Sequence, residues 1–98
     1  MQYVYILRCD DDSLYTGYTT DVARRVREHN TGDGATYTAG RRPVRLRYVE
    51  YHRSRSAAQS REYEIKSLSR AQKERLLPDS GDAVGIALRP ESDELPDR

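Results

Sequence analysis

The chain has 98 residues, the length of one small domain, with 36% hydrophobic and 34% charged side chains. No apolar run approaches the roughly 20 residues of a membrane span, and a single cysteine, Cys9, excludes a disulfide framework and a cysteine-based zinc site. The net charge of +1 conceals a division: residues 1–77 carry 15 basic against 10 acidic side chains, whereas residues 78–98 carry 2 against 6. All eight aromatic residues are tyrosine, so every ring brings a hydroxyl that needs a partner when buried.

Tyr3-Val4-Tyr5-Ile6-Leu7 is β-branched and aromatic and predicts a strand. Asp10-Asp11-Asp12-Ser13 is a turn cluster, and Leu14-Tyr15-Thr16-Gly17-Tyr18 predicts the returning strand, so residues 2–18 read as a β-hairpin. Arg8 and three aspartates within the first dozen residues do not read as a secretory signal, and the expected location is the cytoplasm. Thr20 or Asp21 then caps a helix to about Asn30. Val22 and Val26 form its apolar stripe, while Asp21, Arg25 and His29 share a second face at i, i+4, i+8. Thr31-Gly32-Asp33-Gly34 stops it.

Residues 35–43 predict an irregular basic loop. Residues 44–52 alternate as a third strand, with Val44, Leu46, Tyr48 and Glu50 on one face and Arg45, Arg47, Val49 and Tyr51 on the other. Ser54 or Ser56 opens a second helix to about Leu68, its core face carrying Ala58, Ile65 and Leu68. Ser69-Arg70-Ala71-Gln72 is a capping box for a short third helix that Pro78 ends. The order ββαβαα predicts a single α/β (α+β) unit over residues 1–77, a three-stranded sheet covered by helices. Residues 78–98 lack periodicity and predict an acidic, disordered tail, with a short strand over Val84–Leu88 as the alternative.

Between Val22 and Arg61 there are ten arginines against three acids, interleaved with tyrosines. That composition suits a phosphate-rich partner, because guanidinium groups fork onto phosphate oxygens. Spacing excludes a glycine-rich phosphate loop and a paired-histidine metal motif: His29 and His52 are far apart in the chain.

Tyr3-Val4-Tyr5 followed by Tyr15-Thr16-Gly17 resembles the paired motif of the GIY-YIG nuclease superfamily, with Tyr3 where the family name has its first glycine. The helix containing Arg24-Arg25-Val26-Arg27-Glu28-His29 is similar to the family helix that carries an essential arginine, and Arg61-Glu62-Tyr63-Glu64 resembles the later helix with the metal-binding glutamate. The resemblance covers residues 1 to about 77 and is closest to the small stand-alone members. It implies a metal-dependent endonuclease acting on DNA, on branched or damaged structures, in repair or recombination. It implies Tyr5 as the water-activating phenol and Tyr15 as its positioning neighbour. Arg25, with Arg24 as the adjacent alternative, steadies the scissile phosphate. His29 matches a histidine of several branches, and Glu62, with Glu64 second, is the ligand of one Mg²⁺ or Mn²⁺. The asparagine some members use has no counterpart, since Asn30 is the only asparagine.

Arg24, Arg27, Tyr18, Tyr37, Arg41 and Arg42 are candidates for contact with the nucleic acid. The expected protein is a monomer with no membrane attachment and room for a targeting protein partner. The competing reading is a nucleic-acid-binding or partner-recruiting module with little catalysis of its own.

Overall fold

The computed structural model describes residues 1–78; the segment from residue 79 onward, including the expected acidic tail and Val84–Leu88, lies outside the described residues. Strands β1 (Gln2–Arg8) and β2 (Leu14–Thr19) form the predicted hairpin. Its turn places Asp12 at φ 73°, a left-handed conformation that aspartate tolerates better than most residues. Helix α1 (Val22–Thr31) starts at Asp21, whose side chain accepts from the Arg24 N–H, and ends at Gly32 with φ 93°. The loop predicted for residues 35–43 contains one helical turn, α2 (Thr36–Ala39), which backbone bonds to the Ala35 carbonyl close. Strand β3 (Arg45–His52), helix α3 (Arg55–Lys66) and helix α4 (Arg70–Leu76) complete the order. Ser54 caps α3, and Ser69 with Gln72 forms the predicted capping box on α4.

The sheet is antiparallel with strand order β2-β1-β3. The central strand is buried on both faces, as its run of Val4, Tyr5, Ile6 and Leu7 requires. Tyr5, Leu7, Val44 and Val49 pack on one face against Val22 and Val26 of α1. Val4 and Ile6 pack on the other against Ala58 and Ile65 of α3 and Leu76 and Leu77 at the end of α4. The expected Leu68 is only half-buried and joins neither cluster.

Strict alternation along β3 fails at one point. Tyr48 pairs with Ile6 but Leu46 pairs with Leu7, so Arg47 is an extra residue in a β-bulge. Val44 and Leu46 therefore share a face with Val49, while Tyr48 lies on the opposite one. The bulge lets Leu46 and Val49 share one face of the core while Tyr48 and the buried Glu50 face the other way.

Candidate active site

Tyr5 is the centre of the site. Its ring is buried, and its hydroxyl lies 2.9 Å from His29 Nε2. The cross-strand partner of Tyr5 is Gly17. A Cβ on Gly17 would fall 2.6 Å from the Tyr5 hydroxyl oxygen and 2.8 Å from Cζ, so the phenol lies directly over bare backbone. Tyr15, two residues before Gly17 and hence on the same face, sets its ring centroid 6.4 Å from that of Tyr5 and 5.1 Å from that of His29.

Helix α1 supplies two groups from one face. Arg25 donates to Glu28 Oε1 at 2.9 Å and remains partly exposed. Burial pushes the Tyr5 hydroxyl up to about 12, and the Arg25 guanidinium beside it pulls in the opposite direction. His29, one helical turn further, is fully buried. Desolvation, followed by the Arg25 charge, holds its imidazole below the ordinary value of 6.5. Its Nδ1 is 2.7 Å from Thr38 Oγ1 on α2.

Glu62 comes from α3. Its carboxylate acts on Tyr5 at Coulombic range, helping to raise the phenol's pKa. It is mostly buried, with Lys66 Nζ 3.2 Å from Oε2. Glu64 is exposed and paired with Arg61 at 2.9 Å. Tyr5, Tyr15, Arg25, His29 and Glu62 therefore interact as one constellation, by ring contact, hydrogen bond or field.

The other candidates divide. Tyr37 stacks on Tyr15 with centroids 5.9 Å apart and planes 25° apart, and the Arg41 guanidinium sits 4.0 Å above the Tyr37 centroid. Arg41 also binds Asp11 at 3.0 Å and the Tyr37 carbonyl at 2.7 Å. Arg42 donates to the carbonyls of Ala39 and Asn30, where helices α2 and α1 end. Arg24 is half-exposed, with Glu28 at 3.7 Å, and Arg27 is exposed on the same helix. Tyr18 is on the opposite face of the sheet, packed in the α3–α4 cluster and accepting from Gln59 Nε2 at 2.8 Å. That position separates it from the Tyr5 face because it is one residue out of phase with Gly17. Tyr63, beside Glu62 and Glu64 on α3, is 75% exposed.

Several residues that the sequence reading did not single out hold these side chains or the fold in place. Gly17 stood inside the tyrosine motif, yet its reason, the phenol above it, is visible only across the strands. Thr38 and Gly34 lie in the loop expected to be irregular. A Cβ on Gly34 would strike His29 Nδ1, so this glycine walls the imidazole. Glu50 is fully buried and accepts from Tyr48 Oη at 2.5 Å, His52 Nε2 at 2.8 Å and Arg61 Nε at 2.8 Å. Its signal was a lone glutamate alternating in phase with apolar residues.

Among the described residues, no three His, Cys, Asp or Glu side chains gather in one metal-binding group. A single hard carboxylate, Glu62, suits a cation that keeps most of its water and is completed by substrate phosphate, the habit of Mg²⁺.

These elements define a class: a small α/β domain whose hairpin offers two tyrosines to an arginine–histidine helix and receives a glutamate from a later one. The chain belongs to the GIY-YIG family, a nuclease family; the GIY-YIG catalytic domain matches residues 1–75. It is similar to a UPF0213 protein of Natronomonas pharaonis, 64% identical over 77 residues, covering 79% of this chain and 91% of the relative. A UPF0213 protein of Clostridium perfringens is 54% identical over 77 residues, covering 79% and 83%. The solution NMR structure of the UPF0213 protein BH0048 from Bacillus halodurans superposes with a TM-score of 0.51 at 55% identity, covering 78% of this chain and 82% of that one. The solution structure of the E. faecalis protein EF2693 gives 0.54 at 49% identity, covering 76% and 79%.

Proposed function

We propose that the chain is a divalent-cation-dependent endonuclease that hydrolyses DNA phosphodiester bonds, with branched or damaged DNA as its substrate and a place in repair or recombination. The observation that carries this reading is the Tyr5 hydroxyl, buried, bonded to His29 Nε2 and flanked by the charges of Arg25 and Glu62.

Hydrolysis needs a deprotonated water, neutralised phosphoryl oxygens and a stabilised leaving oxygen. Tyr5 accepts a proton from the attacking water as its own proton passes to His29 Nε2. The water oxygen forms the new bond to phosphorus, the bond to the leaving sugar oxygen breaks, and that oxygen is protonated by solvent. Neutral His29 is suited to this role because its lowered pKa leaves Nε2 free to accept. Tyr15 sits beside both rings and orients the water or the phosphate. Arg25 offers two N–H groups to the non-bridging oxygens, where negative charge grows. Glu62 would hold Mg²⁺ or Mn²⁺, which supplies charge neutralisation at the phosphate when bound. In this reading Arg24 and Arg27 on α1 and the Tyr37–Arg41 stack contact DNA flanking the scissile bond, with Arg42 fixing the loop between them.

No helix among the described residues is long and apolar enough to cross a membrane. The reading takes the protein as a monomeric cytoplasmic enzyme with a protein partner for targeting. The test is a nicking screen over linear, flap, fork, four-way-junction and single-stranded DNA with Mg²⁺ and with Mn²⁺, using Glu62→Ala as control. Cation-dependent nicking lost in the control supports the reading. Salt-sensitive DNA binding without cutting on any substrate overturns it in favour of a binding module.

A further inference from the structure

The imidazole of His29 reaches Tyr5 with one nitrogen and Thr38 with the other. Which nitrogen carries the proton decides whether Nε2 accepts from the phenol or donates to it. Thr38 is fully buried, so its hydroxyl has only protein partners to choose from. Its Oγ1 lies 3.0 Å from the Ala35 carbonyl oxygen, one turn back, which can only accept. With its single hydrogen committed there, Oγ1 offers a lone pair to Nδ1 at 2.7 Å. Two lone pairs do not face each other at that distance, so Nδ1 must carry hydrogen. The Ala35 N–H is 3.5 Å from Nδ1, too long to compete with the Thr38 bond.

We propose that Thr38 is a positioning residue: it holds His29 in the tautomer protonated on Nδ1, leaving Nε2 bare to accept the Tyr5 proton. Gly34 completes the cradle, because any Cβ there would strike the same ring nitrogen. The one-turn helix α2 thus acts as a template for one tautomer. The groups facing the ring from elsewhere are Tyr5 on β1, Tyr15 on β2, and Arg25 and Glu28 on α1, and none of them offers Nδ1 a hydrogen-bond acceptor. The catalytic consequence rests on the nuclease reading, whereas the tautomer does not.

The experiment therefore has two readouts. Long-range ¹H–¹⁵N spectra of the DNA-free protein, at a pH where His29 is neutral, report which ring nitrogen bears hydrogen in wild type, Thr38→Val and Thr38→Ser. Wild type and Thr38→Ser should show a protonated Nδ1 and a bare Nε2, and Thr38→Val should move toward the opposite tautomer. In nicking assays Thr38→Val should lower kcat roughly 10- to 100-fold, part of what a positioned acid–base pair supplies, with KM unchanged and recovery in Thr38→Ser. A proton on Nε2 in wild type, or an unchanged tautomer in folded Thr38→Val, overturns the proposal. Should Thr38→Val fail to fold, the wild-type and Thr38→Ser spectra decide alone. An Nδ1-protonated wild type that cuts no DNA supports the role of Thr38 and overturns the nuclease reading.

Discussion

The hydroxyl of Tyr5 and Nε2 of His29 lie 2.9 Å apart across 24 residues of chain, joining the central strand to the end of α1. This bond ties the core of the fold to the proposed chemistry, because both side chains are buried. Replacing Tyr5 with Phe removes the bond and keeps the ring. Folding should persist at a cost of about 1–3 kcal/mol for the orphaned imidazole nitrogen, while nicking falls roughly 10²- to 10⁴-fold. Urea unfolding and steady-state nicking of the same preparation check both halves.

Gly17 offers a steric test. A methyl group there would stand 2.6 Å from the Tyr5 oxygen and 3.2 Å from a Tyr15 ring carbon. Gly17→Ala should therefore displace the phenol, destabilise the fold by about 1–3 kcal/mol and lower nicking well beyond the loss of folded protein. Gly40, where a Cβ meets open space, provides the contrast: Gly40→Ala should leave both measurements close to wild type.

The pH response follows from His29. Burial, then the Arg25 charge, lowers its pKa below 6.5 in the folded state. Between the lowered value and 6.5 the unfolded chain takes up a proton that the folded chain refuses, so this contribution to stability is complete above 6.5 and declines as pH falls through that window. Nicking should fall in the same direction, as protonated Nε2 no longer accepts from Tyr5. A pH profile of kcat/KM with its acid limb below 6.5, and a urea midpoint that drops with it, are the expected results. His29→Gln should remove this group's part of the stability change.

Glu50 is held by Tyr48, His52 and Arg61, a buried ionic node that fastens α3 to β3. Removing one partner of a buried pair strands the other charge, so Glu50→Ala should cost about 3–5 kcal/mol. A double variant, Glu50→Met with Arg61→Met, should recover much of that loss by packing. Denaturant midpoints of the two proteins check the order.

Lys66 occupies one oxygen of Glu62 at 3.2 Å. If Glu62 receives the cation, Lys66→Met removes a competitor and should lower the Mn²⁺ concentration for half-maximal nicking. Glu62→Gln should raise it or abolish the response. A cation titration of the three proteins, at fixed DNA, gives the comparison.

The fold was largely legible because its signals are local. The Asp21, Ser54 and Ser69 caps, the Asp10–Ser13 turn and the apolar run of β1 each act within a few residues. The β3 bulge was not legible, since Arg47 is extra only relative to β1. The same division runs through the site. Tyr5, Tyr15, Arg25, His29 and Glu62 were named through the resemblance to the GIY-YIG motifs, whereas Thr38 and Gly34 beside His29, and Glu50 within the fold, matter through contacts that only folding creates. Tyr18, named from the sequence as a candidate for nucleic-acid contact, lies on the face of the sheet opposite Tyr5, because strand parity sets its ring there.

Asn30, directly after His29, binds Val44 twice, accepting from its N–H at 2.7 Å and donating to its carbonyl at 3.2 Å. The amide copies the pattern of a ladder rung, closing residues 31–43 into a loop whose two ends are joined independently of its contents. For engineering, that makes the segment an exchangeable cassette: its interior can be rewritten to change what approaches the phenol, provided Thr38 and Gly34, which cradle the imidazole, and the asparagine at its root are retained.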